Sequence, residues 1–85
     1  MATIEIYTTA VCPYCDRAKM LLKQKNAVFT EIRVDTDDKK REEMIQRSQR
    51  KSVPQIFINN QHIGGCDDLY ELEKAHKLDA LLSTT

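Results

Sequence analysis

The sequence predicts an α/β fold, a four-stranded mixed sheet covered by helices in the order β-α-β-α-β-β-α. Three observations carry that expectation. An alternating, β-branched segment near the N-terminus leads into an amphipathic stretch and then a second strand-like run, the pattern of a parallel βαβ unit. Two short strand-like runs further on flank Asn59-Asn60, the pattern of a hairpin. All of this lies within 85 residues, a length that supports one domain, residues 1–85, and no second core.

Thr3 to Thr8 sets Ile4, Ile6 and Thr8 against Thr3, Glu5 and Tyr7 and reads as the first strand. Cys12 is followed by Pro13, which suits a first helical position because its missing N–H would lack an intrahelical partner there. The helix runs to about Lys25, with Ala18, Leu21 and Leu22 as its apolar stripe and Lys19 and Lys23 on the wet side. Asn26 suits a left-handed cap. Val28 to Val34 reads as the second strand, and Asp35 to Ser48 as the second helix. Asp37 and Asp38 favour the start of that helix, and Met44 and Ile45 can face a core. Its remaining charges read as a solvated face. Pro54 belongs at the start of a third strand, Gln55 to Ile58. Asn59-Asn60 turns the chain, because Asn tolerates positive φ. Gln61 to Ile63 returns, and Gly64-Gly65 breaks the strand. A third helix begins near Cys66-Asp67-Asp68 with Leu69 and Leu72 inward, and a last turn places Leu78, Leu81 and Leu82 on the core.

Lys and Arg total 13 and Asp and Glu total 13, so the basic excess usual in a nucleic-acid binder is missing. No apolar run approaches the roughly 20 residues of a membrane span. The opening residues, Met1 to Glu5, lack the basic-then-apolar pattern of a secretory leader. The expectation is a soluble, cytoplasmic protein with neither nucleic-acid nor membrane partners.

Three cysteines are present, and an odd count argues against a secreted disulfide framework. Cys12-Pro13-Tyr14-Cys15 lies where a strand passes into a helix. The nucleophile of disulfide exchange is the thiolate, and an ordinary thiol, with a pKa of about 8.5, is only a few per cent ionised at neutral pH. A sulfur at a helix N-terminus meets unpaired N–H groups and the positive end of the dipole, both of which favour its anion. Lowering the pKa by two units corresponds to about 2.7 kcal/mol. Cys15, one turn further in, is expected to be more buried and less ionised. Cys12 therefore attacks and Cys15 resolves. Metal binding is the rival. One C-x-x-C supplies two ligands where structural zinc takes four, and Cys66, His62 and His76 lack the paired spacing. No bound metal is expected.

Cys12-Pro13-Tyr14-Cys15, Ser52-Val53-Pro54 and Gly64-Gly65-Cys66-Asp67-Asp68-Leu69, at these spacings, resemble the glutaredoxins, and in particular the small bacterial dithiol type. The likeness covers nearly the whole chain. It implies a thioredoxin-like fold with Pro54 in cis. It also implies a glutathione site in which the Val53 backbone pairs with the tripeptide like an added strand. Gly65, Cys66 and Asp67 would receive the γ-glutamyl end, Tyr14 would flank the sulfur, and Arg50 or Lys51 would meet the glycine carboxylate. Many relatives carry a lysine where this chain has Thr9.

The activity so implied is glutathione-dependent reduction of glutathionylated proteins and protein disulfides by a monomer, with glutathione as co-substrate and glutathione reductase acting indirectly. Ribonucleotide reductase is a candidate target at the level of the family. Two other readings stand beside it: a redoxin recharged by thioredoxin reductase, and a glutathione-ligated iron–sulfur cluster carrier. Plainer readings apply to single residues. Cys66 reads first as a small buried hydrophobe, Asp68 as a partner of the helix dipole, and His62 and His76 as surface residues.

Overall fold

The computed structural model describes residues 2–83, and Met1 of the leader reading falls outside them. Five-residue β1 (Ile4–Thr8) leads into α1 (Pro13–Gln24), β2 (Phe29–Arg33) and α2 (Asp38–Ser48). The hairpin β3 (Gln55–Ile58) and β4 (Gln61–Gly64) follows, then α3 (Cys66–Lys74) and the short α4 (Leu78–Leu82). The sheet order is β2-β1-β3-β4. β1 runs parallel to β2, with Ile4 beside Phe29 and Thr8 beside Arg33. It runs antiparallel to β3, with Ile4 opposite Ile58 and Tyr7 opposite Gln55. The expected mixed α/β sheet is the observed one.

β1 is central, so the alternation of its side chains feeds two cores. Ile4 and Ile6 pack with Ala18, Leu21 and Leu22 of α1, with Ile56 and Ile58 of β3, and with Leu69 and Leu78. Tyr7, on the opposite face, packs with Val34, Phe57 and Met44 of α2. Deleting most of a side chain such as Leu22 or Leu69, both fully buried, costs about 2–5 kcal/mol. Leu72, Leu81, Leu82 and Ile45 pack at the margins of these clusters.

Local chemistry sets the boundaries. Asn26 is left-handed at φ 57°, as the sequence suggests. Asn59 (φ 52°) and Asn60 (φ 66°) are both left-handed, which a two-residue hairpin with the twist of the strands requires. β2 begins at Phe29, one residue later than expected, because Val28 lies exposed beyond the pairing with β1. α2 begins at Asp38 and not Asp35. The Asp37 side chain accepts the N–H groups of Lys39 (3.0 Å) and Lys40 (3.2 Å), so it is the N-cap. β4 extends to Gly64, whose φ of 122° admits little but glycine and where a Cβ would strike the Asp68 carboxylate.

Two charge assignments change. Lys19 is not simply solvated, since its ammonium pairs with Glu31 of β2 at 2.9 Å and lies 3.6 Å from Asp16. α2 turns Arg47 and Glu43 toward the sheet. The Tyr7 hydroxyl donates to Glu43 (2.6 Å) and accepts from Arg47 (2.8 Å), and the guanidinium lies 3.9 Å from the centroid of the Phe57 ring. Arg47 also reaches Glu5 at 3.1 Å. Burial, followed by the Glu43 hydrogen bond, pushes the Tyr7 phenol up to about 12.

Candidate active site

β1 ends at Thr8, and residues 9–11 carry the chain to Cys12, the N-cap of α1. Cys12 is extended (φ −152°, ψ 97°), and Pro13 opens the helix. The Cys12 sulfur accepts the Cys15 N–H at 3.1 Å, the role a Ser, Thr or Asp oxygen normally plays at this position. An ionised sulfur there would hold one of the orphan amides of the first turn and face the positive end of the dipole. Cys12 and Cys15 are joined as a disulfide with Cα atoms 5.1 Å apart. Cys15 has no exposure, whereas Cys12 retains 8%. Cys12 is thus the more accessible of the two cysteines.

The Cys12 sulfur lies 3.9 Å from the Val53 carbonyl oxygen. Val53-Pro54 is a cis peptide, as the resemblance implies. This segment floors a groove of about 230 Å³ that Tyr14, Arg50, Gly65, Cys66 and Asp67 also line. Gly65 lies against the cis-proline segment, where a Cβ would make an ordinary contact, 3.4 Å from the Pro54 carbonyl oxygen. Tyr14 is about half exposed beside the cysteines. Of the two cations considered, Arg50 lines the groove and Lys51 stays exposed outside it.

At the start of α3, Gly65 has no side chain with which to cap, so only half of a capping box exists. The Asp68 carboxylate accepts the Gly65 N–H at 2.9 Å. The same oxygen pairs with Arg50 at 3.2 Å. The Gly65 N–H first, and the Arg50 guanidinium after it, hold the Asp68 carboxyl below its usual range. Asp68 thus does more than favour the dipole: it ties α3 to the segment before β3. Cys66 is buried against the main core, and burial followed by the Asp67 charge pushes its thiol up. It is a poor nucleophile at neutral pH.

Two supports of the groove are not evident from the sequence. Gln55 is 1% exposed. Its amide donates to the Ser52 carbonyl (2.9 Å) and hydroxyl (3.2 Å), and its carbonyl oxygen lies 2.8 Å from the His62 ring. His62 is therefore half-buried against Phe57 at 5.0 Å and not a surface residue, because β4 lays it over the sheet. His76 is exposed as expected. The only advance signal was a polar residue inside an apolar strand. Among the described residues, no group of three or more His, Cys, Asp and Glu is placed to hold a metal, and no helix is long and apolar enough to cross a membrane.

The glutaredoxin family profile matches residues 4–63. Glutaredoxin 3 of Escherichia coli (strain K12) is 60% identical over 82 residues, covering 96% of this chain and 99% of that protein. The solution structure of glutaredoxin from Brucella melitensis superposes with a TM-score of 0.85 at 54% identity, over 96% of this chain and 89% of that one. The buckwheat glutaredoxin–glutathione complex gives 0.89 at 30% identity, over 96% and 77%.

Proposed function

Because this chain belongs to the glutaredoxin family and is a thiol–disulfide oxidoreductase with Cys12 and Cys15 as its redox pair, we propose that it draws its electrons from glutathione and acts on glutathionylated proteins and protein disulfides. The observation that carries the proposal is the Cys12 sulfur, capped by the Cys15 N–H and placed 3.9 Å from the carbonyl oxygen of Val53, a residue that lines the groove. A tripeptide laid along Val53 would present its own sulfur to Cys12. Its γ-glutamyl carboxylate would meet the open N–H groups at the start of α3, its ammonium the Asp67 carboxylate, and its glycine carboxylate Arg50. Glutathione bound to the buckwheat glutaredoxin supports the assignment.

The chemistry is two successive exchanges. The Cys12 thiolate attacks the glutathione sulfur of a mixed disulfide. The S–S bond breaks and the target sulfur leaves as a thiolate, which takes a proton. A second glutathione thiolate attacks the same sulfur in the Cys12–glutathione disulfide, releasing glutathione disulfide and restoring the Cys12 thiolate. With a protein disulfide, Cys12 attacks the target. Cys15 then loses its proton and displaces the target by closing the Cys12–Cys15 bond, and two glutathiones return the pair to the dithiol. Glutathione reductase, a separate enzyme, would recycle the product. The protein acts as a monomer in the cytoplasm.

Turnover of a glutathione mixed disulfide tests the proposal. Oxidation of NADPH is expected with glutathione and glutathione reductase, and none with thioredoxin reductase alone. Activity only with thioredoxin reductase would overturn it.

A further inference from the structure

The Asp35 carboxylate, just beyond β2, reaches back to the loop that delivers the nucleophile. Its Oδ2 accepts the N–H of Ala10, two residues before Cys12, at 3.0 Å. Arg33 grips the other side, with Nε donating to Oδ1 at 2.8 Å and Nη2 to Oδ2 at 2.7 Å. The Val34 N–H, between the two residues, donates to the Thr8 carbonyl at 2.9 Å, so the end of β2 is fixed to the end of β1. Residues 9–11 are otherwise an exposed or half-exposed bend between strand and helix.

We propose that Asp35 is a positioning residue for the Cys12 nucleophile. By holding the Ala10 amide it fixes the path by which the chain enters Cys12, and hence the extended conformation that aims the sulfur at the Cys15 N–H. The proposal rests on the thiol–disulfide activity of Cys12 and needs no particular reductant or substrate. The bidentate Arg33 pair, aided by the Ala10 N–H, holds the Asp35 carboxyl far below its usual range, so the tether does not let go anywhere near neutral pH.

Charge and geometry predict opposite signs, which makes the idea testable. A carboxylate acting on Cys12 only through its field would disfavour the thiolate, so removing it would lower the thiol pKa. Removing a positional tether would raise that pKa, because the sulfur loses its alignment with the amide end of α1. The experiment is pH-dependent alkylation of Cys12 in the fully reduced protein, with bound label located by mass spectrometry. It is run on the wild type, Asp35→Ala and Asp35→Asn, with thermal melting of each.

Asp35→Ala is expected to raise the apparent pKa by about half a unit or more. That is about a threefold fall in alkylation rate at a pH below the transition, since one unit is tenfold. Asp35→Asn keeps an acceptor for the Ala10 N–H and removes the charge, so it is expected to recover most of that loss even where its melting temperature drops. Equal pKa values in all three proteins, or a fall in both variants, would overturn the proposal. A second reading needs no variant. In the reduced wild type the Ala10 amide is expected to be protected from hydrogen exchange, and exchange at the rate of an open loop would overturn the tether even if Asp35→Ala does not fold.

Discussion

Replacing Asp68 by alanine removes two contacts made by one oxygen. The Gly65 N–H, accepted at 2.9 Å, loses its partner at the start of α3. Losing a helix cap of this kind costs about 1 kcal/mol. The Arg50 pair at 3.2 Å joins side chains that are 50% and 47% exposed, so screening by water limits it to about 0.5 kcal/mol or less. The sum, about 1–1.5 kcal/mol, lowers the melting temperature of a domain this size by about 4–12 °C. Urea denaturation followed by circular dichroism measures it directly. The pH dependence has a definite sign. The folded carboxyl titrates below its ordinary 3.8, so its contribution is complete above that value and is lost as pH falls through the folded pKa. Wild type and Asp68→Ala should therefore differ at pH 7 and converge in strong acid. Asp68→Asn, which keeps an acceptor, should lie between them. Equal stability at pH 7, or a gap that persists undiminished at the acid end, would mean that the ionised Asp68 carboxylate does not cap α3.

Cys12→Ser should abolish every exchange activity, whereas Cys15→Ser should keep reduction of glutathione mixed disulfides and lose reduction of protein disulfides. Steady-state assays with both substrate types distinguish the two, and equal loss of the first activity in both variants would contradict the assigned roles. Asp67→Ala should raise the KM for glutathione about tenfold, the scale of a lost charged hydrogen bond, with a smaller change in kcat. The Tyr7 phenol should titrate at about 12 in the folded protein, as read from its ring resonances. Because its folded pKa lies above the unfolded value of about 10, the stability it supplies is complete below pH 10 and drains between pH 10 and 12. The loss is on the order of 2–3 kcal/mol, visible in urea midpoints.

The elements were legible in the sequence because their determinants are local. Pro13 after Cys12, Asn26, and the Asn59-Asn60 pair each fix a backbone conformation that needs no distant partner. The alternation in β1 announced two faces, and both proved buried. The misjudged positions were those whose partners lie far along the chain. Arg47 and Glu43 looked like part of a wet helical face until Tyr7, about 40 residues earlier in the chain, took both. Lys19 found Glu31 across the βαβ unit. Arg50 and Lys51 are adjacent and chemically alike, and only the Asp68 carboxylate, 18 residues later, draws Arg50 over the groove. Asp35 seemed to open α2, whereas its carboxylate serves the loop before Cys12, 25 residues back. Period and propensity carry no information about such pairings.

On this geometry the amide end of α1 holds the sulfur of reduced Cys12 ionised. The most direct test is the midpoint for alkylation of Cys12 in the reduced wild-type protein as pH is raised. The geometry at the N-cap predicts a midpoint at least about one unit below the ~8.5 of an unperturbed thiol. A Cys12 that reacts with the profile of a free cysteine would contradict it.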